Sequence, residues 1–164
     1  MCTLQSVPIV TETIIAAPAE PPEPFWKRLR LEEMSAAEWE SLCDGCGKCC
    51  LEKIEHAETA LIEFTDVACR LLDIGTCRCR HYGERRRHVP NCEQLTPSSV
   101  RAFTWLPSTC AYRLLAQGRD LPWWHPLVSG DPELVHTQGI SARGRAVPPK
   151  RRQRLEHHIV SWPA

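Results

Sequence analysis

Hydrophobic and polar positions follow no regular period over residues 1–24, which hold five prolines and no aromatic residue. Such a stretch buries too little to offset the entropy of ordering, so a disordered N-terminal extension is expected there. Order is expected from Phe25-Trp26 onward. Ser35 followed by Glu38 forms an S-x-x-E capping box, and Met34 and Trp39 occupy the two hydrophobic-staple positions around it. Trp39, Leu42 and Cys43 then fall at i, i+3 and i+4 on one helical face, so the helix delivers Cys43 at its end. Leu61-Ile62-Glu63-Phe64-Thr65 has the β-branched and aromatic character of a short strand. Cys77-Arg78-Cys79 alternates, and if extended it puts both sulfurs on one side. Thr96-Pro97 predicts an N-cap with proline at the first helical position. Ser108 or Thr109 predicts the cap of another helix ending near Gly118, with Cys110 and Leu114 one turn apart and Cys110 facing inward. Leu155 to Trp162 reads as a short docking helix. The expected class is α+β: a small, irregular, helix-rich and loop-rich single domain organised around a cysteine and metal site.

Composition sharpens this picture. A chain of 164 residues matches one domain, while 14 prolines and only 7% aromatic residues suggest a fold that needs support beyond apolar burial. The net charge is zero but unevenly spread. Residues 1–24 carry Glu12, Glu20 and Glu23 with no basic residue, and residues 143–154 carry Arg143, Arg145, Lys150, Arg151, Arg152 and Arg154 with no acidic one. The expected organisation is an extension over 1–24, a cysteine-cluster domain over 25–142 and a basic tail over 143–164. No stretch approaches the length of a membrane span, and no charged segment precedes an apolar run as in a signal peptide. A cytoplasmic location with reduced thiols follows as an expectation.

Cysteine carries the chemistry. Cys43, Cys46, Cys49 and Cys50 fall within eight residues, interleaved with Gly45 and Gly47, which permit the turns a metal wrap demands. Cys69, Cys77, Cys79, Cys92 and Cys110 follow, and Cys2 lies apart. Disulfides do not suit a reducing compartment. Inert buried thiols suit Cys2 but not a run packed with Gly, Asp and Lys, which are poor core material. Metal ligation remains, with all nine cysteines from Cys43 to Cys110 as ligands. The C-x2-C-x2-C run matches the first three ligands of a ferredoxin-type iron–sulfur motif, but Cys50 replaces the usual ending. Nine thiolates also satisfy three tetrahedral zinc ions, about twelve ligand positions, if three sulfurs bridge. One four-iron cluster plus one mononuclear zinc uses eight. Adjacent Cys49 and Cys50 point apart on most backbones, which suits service to two metals, or bridging, better than chelation of one.

The chain resembles the bacterial C-x-x-C-x-x-C-C family, described as a zinc- or iron-chelating domain. Phe25-Trp26 and Met34-Ser35 through Cys50 resemble the family's opening. Phe64-Thr65-Asp66-Val67-Ala68-Cys69-Arg70, Thr76-Cys77-Arg78-Cys79 and Trp105-Leu106-Pro107 with Thr109-Cys110-Ala111-Tyr112-Arg113 resemble its middle. Trp124-His125-Pro126-Leu127 and Ser129-Gly130-Asp131 resemble its later part. The resemblance covers roughly residues 25–142 and implies bound zinc or iron, an iron–sulfur cluster included.

Arg70, Arg78, Arg80 and Arg85-Arg86-Arg87 crowd the cysteines. They suit compensation of an anionic metal–thiolate site, a solvated surface, or, least favoured, phosphate contacts to nucleic acid. His81 and His88 are substitute ligands or outer-shell groups. His125 and Asp131 mark either a pocket or packing and turn positions. No P-loop, dinucleotide fingerprint, H-E-x-x-H, nucleophile elbow or zinc-deaminase signature occurs, so no catalytic residue is assigned. The leading reading is a cytoplasmic metal-binding protein whose partners are metal ions. A metal-dependent enzyme acting on a protein partner and a zinc-stabilised nucleic-acid binder are the alternatives.

Overall fold

The structure, a computed structural model, describes residues 22–162. Most of the predicted N-terminal extension, with Cys2, lies outside the described residues. The chain folds as a mixed α+β domain of short helices and two small antiparallel sheets. The helices are α1 (Phe25–Arg28), α2 (Ala36–Ser41), α3 (Arg85–His88), α4 (Ala111–Ala116), α5 (Pro126–Ser129) and α6 (Leu134–Thr137). The strands are β1 (Leu51–Glu55), β2 (Ile62–Ala68), β3 (Leu72–Asp73) and β4 (Arg78–Cys79). No helix among the described residues is long and apolar enough to cross a membrane.

Helix α2 starts as its sequence dictates. The Glu38 N–H donates to Ser35 Oγ, and the Glu38 carboxylate accepts from the Ser35 N–H at 2.8 Å, so two orphan donors are satisfied reciprocally. Trp39 and Leu42 turn inward to a core built with Leu31, Val100, Leu106, Ala111, Tyr112 and Leu121. Tyr112 lies on Trp39 with ring centroids 4.6 Å apart, and its hydroxyl donates to the Trp39 carbonyl at 3.0 Å. This core clamps α2 to α4.

Strands β1 and β2 form a hairpin that pairs Leu51 with Ala68, Lys53 with Phe64 and Glu55 with Ile62, with an irregularity between Leu51 and Lys53. The predicted strand at Leu61–Thr65 is the front of β2. Its partner β1 has the pattern Leu-Glu-Lys-Ile-Glu, which carries no strand signal because two of its residues are acidic and one basic. Strands β3 and β4 make a two-residue ladder that pairs Leu72 with Cys79. Asp73 closes their turn by accepting from the Gly75 and Thr76 N–H groups.

Several local expectations need correction. Thr96-Pro97 opens no α-helix. The hydroxyls of Thr96 and Ser99 bond each other at 2.8 Å, and the chain forms only a 3-10 turn over Val100–Ala102, as side-chain competition for the backbone permits. The next helix starts at Ala111, with Cys110 in the capping position and no side-chain cap; the Thr109 hydroxyl accepts from Lys48 instead. Gly118, at φ +70°, follows its end. Cys77 is not extended. It sits at φ +56°, which breaks the alternation, so Cys77 and Cys79 face different surroundings. Leu155–His158 is a 3-10 turn, after which the chain runs extended along β2. There Ile159 bridges Thr65, the Val160 N–H donates to the Phe64 carbonyl at 2.9 Å, and His158 meets the Asp66 carboxylate at 2.7 Å. Val147, His158, Ile159 and Val160 thus lie against the hairpin, and the Arg145 guanidinium lies over the Trp162 ring.

Candidate metal centre

The cysteine loop begins where α2 stops. His125 fixes that end: its ring Nε2 meets the Leu42 carbonyl at 3.0 Å while Nδ1 accepts the Leu127 N–H. Nδ1 is therefore unprotonated and Nε2 is the donor, and burial holds the imidazole below its ordinary pKa. His125 is a fully buried strut under the loop, which decides for packing among the readings the sequence left open.

The loop is wound by an Asx turn and two left-handed glycines. Asp44 Oδ1 accepts the Cys46 N–H at 3.0 Å. Gly45 lies at φ +74°, and a Cβ there would stand 3.0 Å from the Arg78 guanidinium. Gly47 lies at φ +73°, and a Cβ there would stand 3.1 and 3.2 Å from Cβ and Sγ of Cys77. Both positions require glycine on conformation, and Gly47 on space as well. A 3-10 turn over Lys48–Cys50 then leads into β1.

Two residues judged poor core material are buried here. Lys48 is 1% exposed, and its ammonium donates to Thr109 Oγ1 at 2.9 Å, tying the loop to the residue ahead of Cys110. Asp44 is 6% exposed, and its second oxygen, Oδ2, is buried without a hydrogen-bond partner. Taken singly, Lys and Asp are poor core material. Here the carboxylate and the ammonium enter together, among thiols and hydroxyls.

The cysteines converge unevenly, and all nine described ones are free thiols. Cys43 is pushed up to about 12, by burial first and then by the charges of Cys49 and Asp44. Burial followed by the charges of Asp44, Cys49 and Cys43 raises Cys46. Cys110 is also pushed up to about 12, by burial first, with Cys49, Asp44 and Cys43 adding to it. The Cys49 and Cys50 sulfurs are 4.0 Å apart, and their contact lowers Cys49 and raises Cys50. The other thiols felt by Cys50 are Cys69 and Cys79, and the same two act on Cys92 behind burial and Arg85. Backbone contacts agree: the Cys69 N–H donates to the Cys50 carbonyl at 2.8 Å, and the Leu72 N–H to the Cys69 carbonyl at 2.9 Å, with Cys79 paired to Leu72. Arg70 reaches the His88 carbonyl and draws the segment carrying Cys92 toward Cys69.

Cys77 stands apart. It is buried against Leu51, Ala68, Leu72 and Ala142. Burial raises it, and the groups that oppose burial are Arg143, Ser141, Ala142 and Arg78 rather than another cysteine.

Lys53 lies behind the Cys49–Cys50 junction, donating to the carbonyls of Cys49 at 2.9 Å and Leu51 at 2.7 Å, with Phe64 and Trp105 rings beside it. Among the arginines, Arg78 packs on the loop at Gly45, while Arg80 pairs with Asp73 at 3.5 Å. Arg85 lies over the Tyr82 ring, and Arg87 pairs with Glu84. His81 and His88 stack with ring centroids 4.7 Å apart. Lys48, Lys53, Asp44 and Thr109 are the site residues that sequence reasoning did not single out; position inside or beside the cysteine run was the only available signal.

As placed, no group of three or more His, Cys, Asp or Glu side chains among the described residues is arranged to hold a metal ion. The donor set nevertheless has the chemistry for a soft metal. Thiols gather without disulfides, and a carboxylate oxygen buried beside them lacks a partner. The 4.0 Å between the Cys49 and Cys50 sulfurs is far from a bond of about 2.05 Å. It is close to the roughly 3.8 Å that separates two thiolates on one tetrahedral zinc with Zn–S near 2.3 Å.

Comparison with known proteins decides the family. A UPF0260 protein of Gluconacetobacter diazotrophicus is 59% identical over 140 residues, which cover 85% of this chain and 88% of that relative. The chain belongs to the UPF0260 family. Another member, from Rhodopseudomonas palustris strain BisA53, is 56% identical over 149 residues covering 89% of this chain and 88% of its own. A third, from Sinorhizobium medicae, is 58% identical over 142 residues covering 85% and 92%. Residues 42–111 match the model of the C-x-x-C-x-x-C-C family, described as "Putative zinc- or iron-chelating domain". That span includes the cysteine loop, Cys69, Cys77, Cys79, Cys92 and Cys110. No solved structure matches the chain.

Proposed function

We propose that this UPF0260 protein is a cytoplasmic metal-binding protein that holds zinc or iron through cysteine thiolates. One observation supports the reading: free thiols distant in sequence lie on segments tied to the Cys43–Cys50 loop, the Cys69 N–H bonding the Cys50 carbonyl and Lys48 bonding Thr109 beside Cys110. The family description of zinc or iron chelation points the same way. Cys77 stays in the proposed ligand set, since its sulfur lies against the loop at Gly47. A bound metal supplies a crosslink between segments that apolar burial alone joins weakly. The chain's own residues position the ligands: His125 and the capping box set the start of the loop, Gly45 and Gly47 turn it, and Lys48 pins it to Thr109. Lys53 and Arg78 bring positive charge to thiolates that together carry a net negative one.

Anaerobic purification followed by metal analysis and absorption spectroscopy tests the reading. Zinc in a colourless preparation, or iron with the brown colour of an iron–sulfur cluster, is the expected result. Metal-free protein with the same melting curve before and after chelator treatment would reject it.

A further inference from the structure

We infer that Lys53 is a positioning residue for the adjacent pair Cys49–Cys50: its ammonium, seated on the carbonyls of Cys49 and Leu51, holds the turn that keeps the two sulfurs together as ligands. The inference rests on the metal-binding reading above and deepens it.

In an extended chain neighbouring side chains point to opposite faces. Sulfurs 4.0 Å apart on adjacent residues therefore need a turned backbone, and the 3-10 turn over Lys48–Cys50 supplies it. From Leu51 onward the chain is extended as β1, so the change from turn to strand falls at Cys50 itself. Four consecutive carbonyls across this change accept from side chains or backbone beyond it. Lys53 Nζ donates to Cys49 at 2.9 Å and to Leu51 at 2.7 Å. The Cys69 N–H donates to Cys50 at 2.8 Å, and Thr65 Oγ1 donates to Glu52 at 2.7 Å. The ladder with β2 is irregular between Leu51 and Lys53, which is where the ammonium enters.

The placing of Lys53 is unusual for its type. A lysine ordinarily lays its stem on the surface and leaves its head in water. This one curls back along its own strand, with its head 5.4 Å from the Phe64 ring centroid and 5.0 Å from that of Trp105. Phe64 is its ladder partner, and Trp105 comes from the segment ahead of Cys110. An ammonium has three N–H donors and no acceptor. Two of them go to the carbonyls on either side of Cys50, and the ring faces receive its charge. Arg78, by contrast, packs its guanidinium on the loop at Gly45. Lys53 thus brings directed donors to the Cys49–Cys50 backbone in addition to charge.

The experiment uses full-length protein, stripped of metal under anaerobic reducing conditions and loaded with Zn(II). Zinc affinity is measured by competition with a chromophoric chelator in the unaltered chain, Lys53→Met and Lys53→Arg. Lys53→Met keeps the stem and loses the donors, and about tenfold weaker binding or more is expected. Lys53→Arg keeps donors and charge and should recover most of that loss. The deficit of Lys53→Met should be the same at about 0.1 M and about 1 M salt, because screening weakens a charge effect but not a directed bond. Alkylation of the zinc-loaded chains under limiting chelator, with the labelled cysteines mapped, should show Cys49 and Cys50 opening ahead of Cys110 in Lys53→Met only. If Lys53→Met does not fold, Lys53→Gln takes its place, with the same directions expected. Undiminished affinity without the ammonium, a deficit that vanishes at high salt, no recovery in Lys53→Arg, or Cys110 opening together with the pair would overturn the positioning role while leaving metal binding intact. An unaltered chain that binds no zinc through its cysteines would overturn the metal-binding reading, and this inference with it.

Discussion

The helical side and the sheet side of this domain are held together by different means. On the helical side eight buried residues, Leu31, Trp39, Leu42, Val100, Leu106, Ala111, Tyr112 and Leu121, make one core, with further aromatic and aliphatic side chains packed against it. On the sheet side the buried cluster is Leu51, Ala68, Leu72, Cys77 and Ala142, of which one is a thiol and two are alanines. Both sheets are two-stranded, and the second is a two-residue ladder. An isolated two-stranded sheet is marginal in water. The helical side is therefore expected to persist on apolar burial, and the sheet side, which beyond its two strands has the C-terminal segment along β2, to draw more on the proposed thiolate–metal bonds.

Metal removal is the strongest way to break this comparison. A structural zinc site contributes on the order of 10 kcal/mol at neutral pH, more than a small sheet cluster can replace. Hydrogen exchange before and after chelation should show residues 50–92 losing protection while α2 and α4 keep theirs. Uniform loss on both sides would show one cooperative unit and remove the distinction.

Leu106→Ala strikes the opposite side. Leu106 is fully buried in the helical core, so a cost of about 2–5 kcal/mol is expected. Thermal melting should fall while the metal content of the folded protein stays the same. Loss of metal in step with loss of helical stability would mean that the two sides cannot be separated.

Gly47→Ala tests the seam between them. The residue sits at φ +73° with Cys77 against its open face, so left-handed strain and a close contact together cost about 1–3 kcal/mol. Adding Cys77→Ala removes the sulfur contact but neither the backbone strain nor the Cys77 Cβ. A partial recovery of the denaturation midpoint is the expected outcome, and full recovery would show that the φ angle costs nothing.

The smallest effect is with pH. His125 is a base whose folded pKa lies below its ordinary value because it is buried neutral. The unfolded chain then binds the extra proton first, so stability is complete above about pH 6.5 and falls as pH drops below it. One proton contributes at most about 1.4 kcal/mol per pH unit. Amide exchange in α2 of chelated protein, compared at pH 7 and 5.5 and corrected for intrinsic rates, should accelerate in the unaltered chain and less in His125→Gln. Equal acceleration in both would assign the acid sensitivity to other groups.

Local signals survived folding where one short segment satisfied itself. The capping box at Ser35–Glu38 forms as read, because its donors and acceptors lie within four residues and need nothing from elsewhere. The front of β2 was visible in its β-branched and aromatic residues, and the soft-donor chemistry in the cysteine spacing. Tertiary structure decided what depends on contact between distant segments. Thr109 read as a helix cap, but its hydroxyl instead accepts from Lys48, 61 positions away, and Cys110 takes the capping position. Cys77 and Cys79 read as one alternating pair, but the left-handed backbone at Cys77 places one sulfur beside Gly47 and leaves the other on the ladder with Leu72. Nor could spacing along the chain tell His125 the strut from His125 the pocket residue, since its role rests on a carbonyl 83 positions away. Residue type and periodicity determine which groups a segment offers. Which partner each group meets is settled by long-range packing, because only the folded backbone brings those partners within bonding distance.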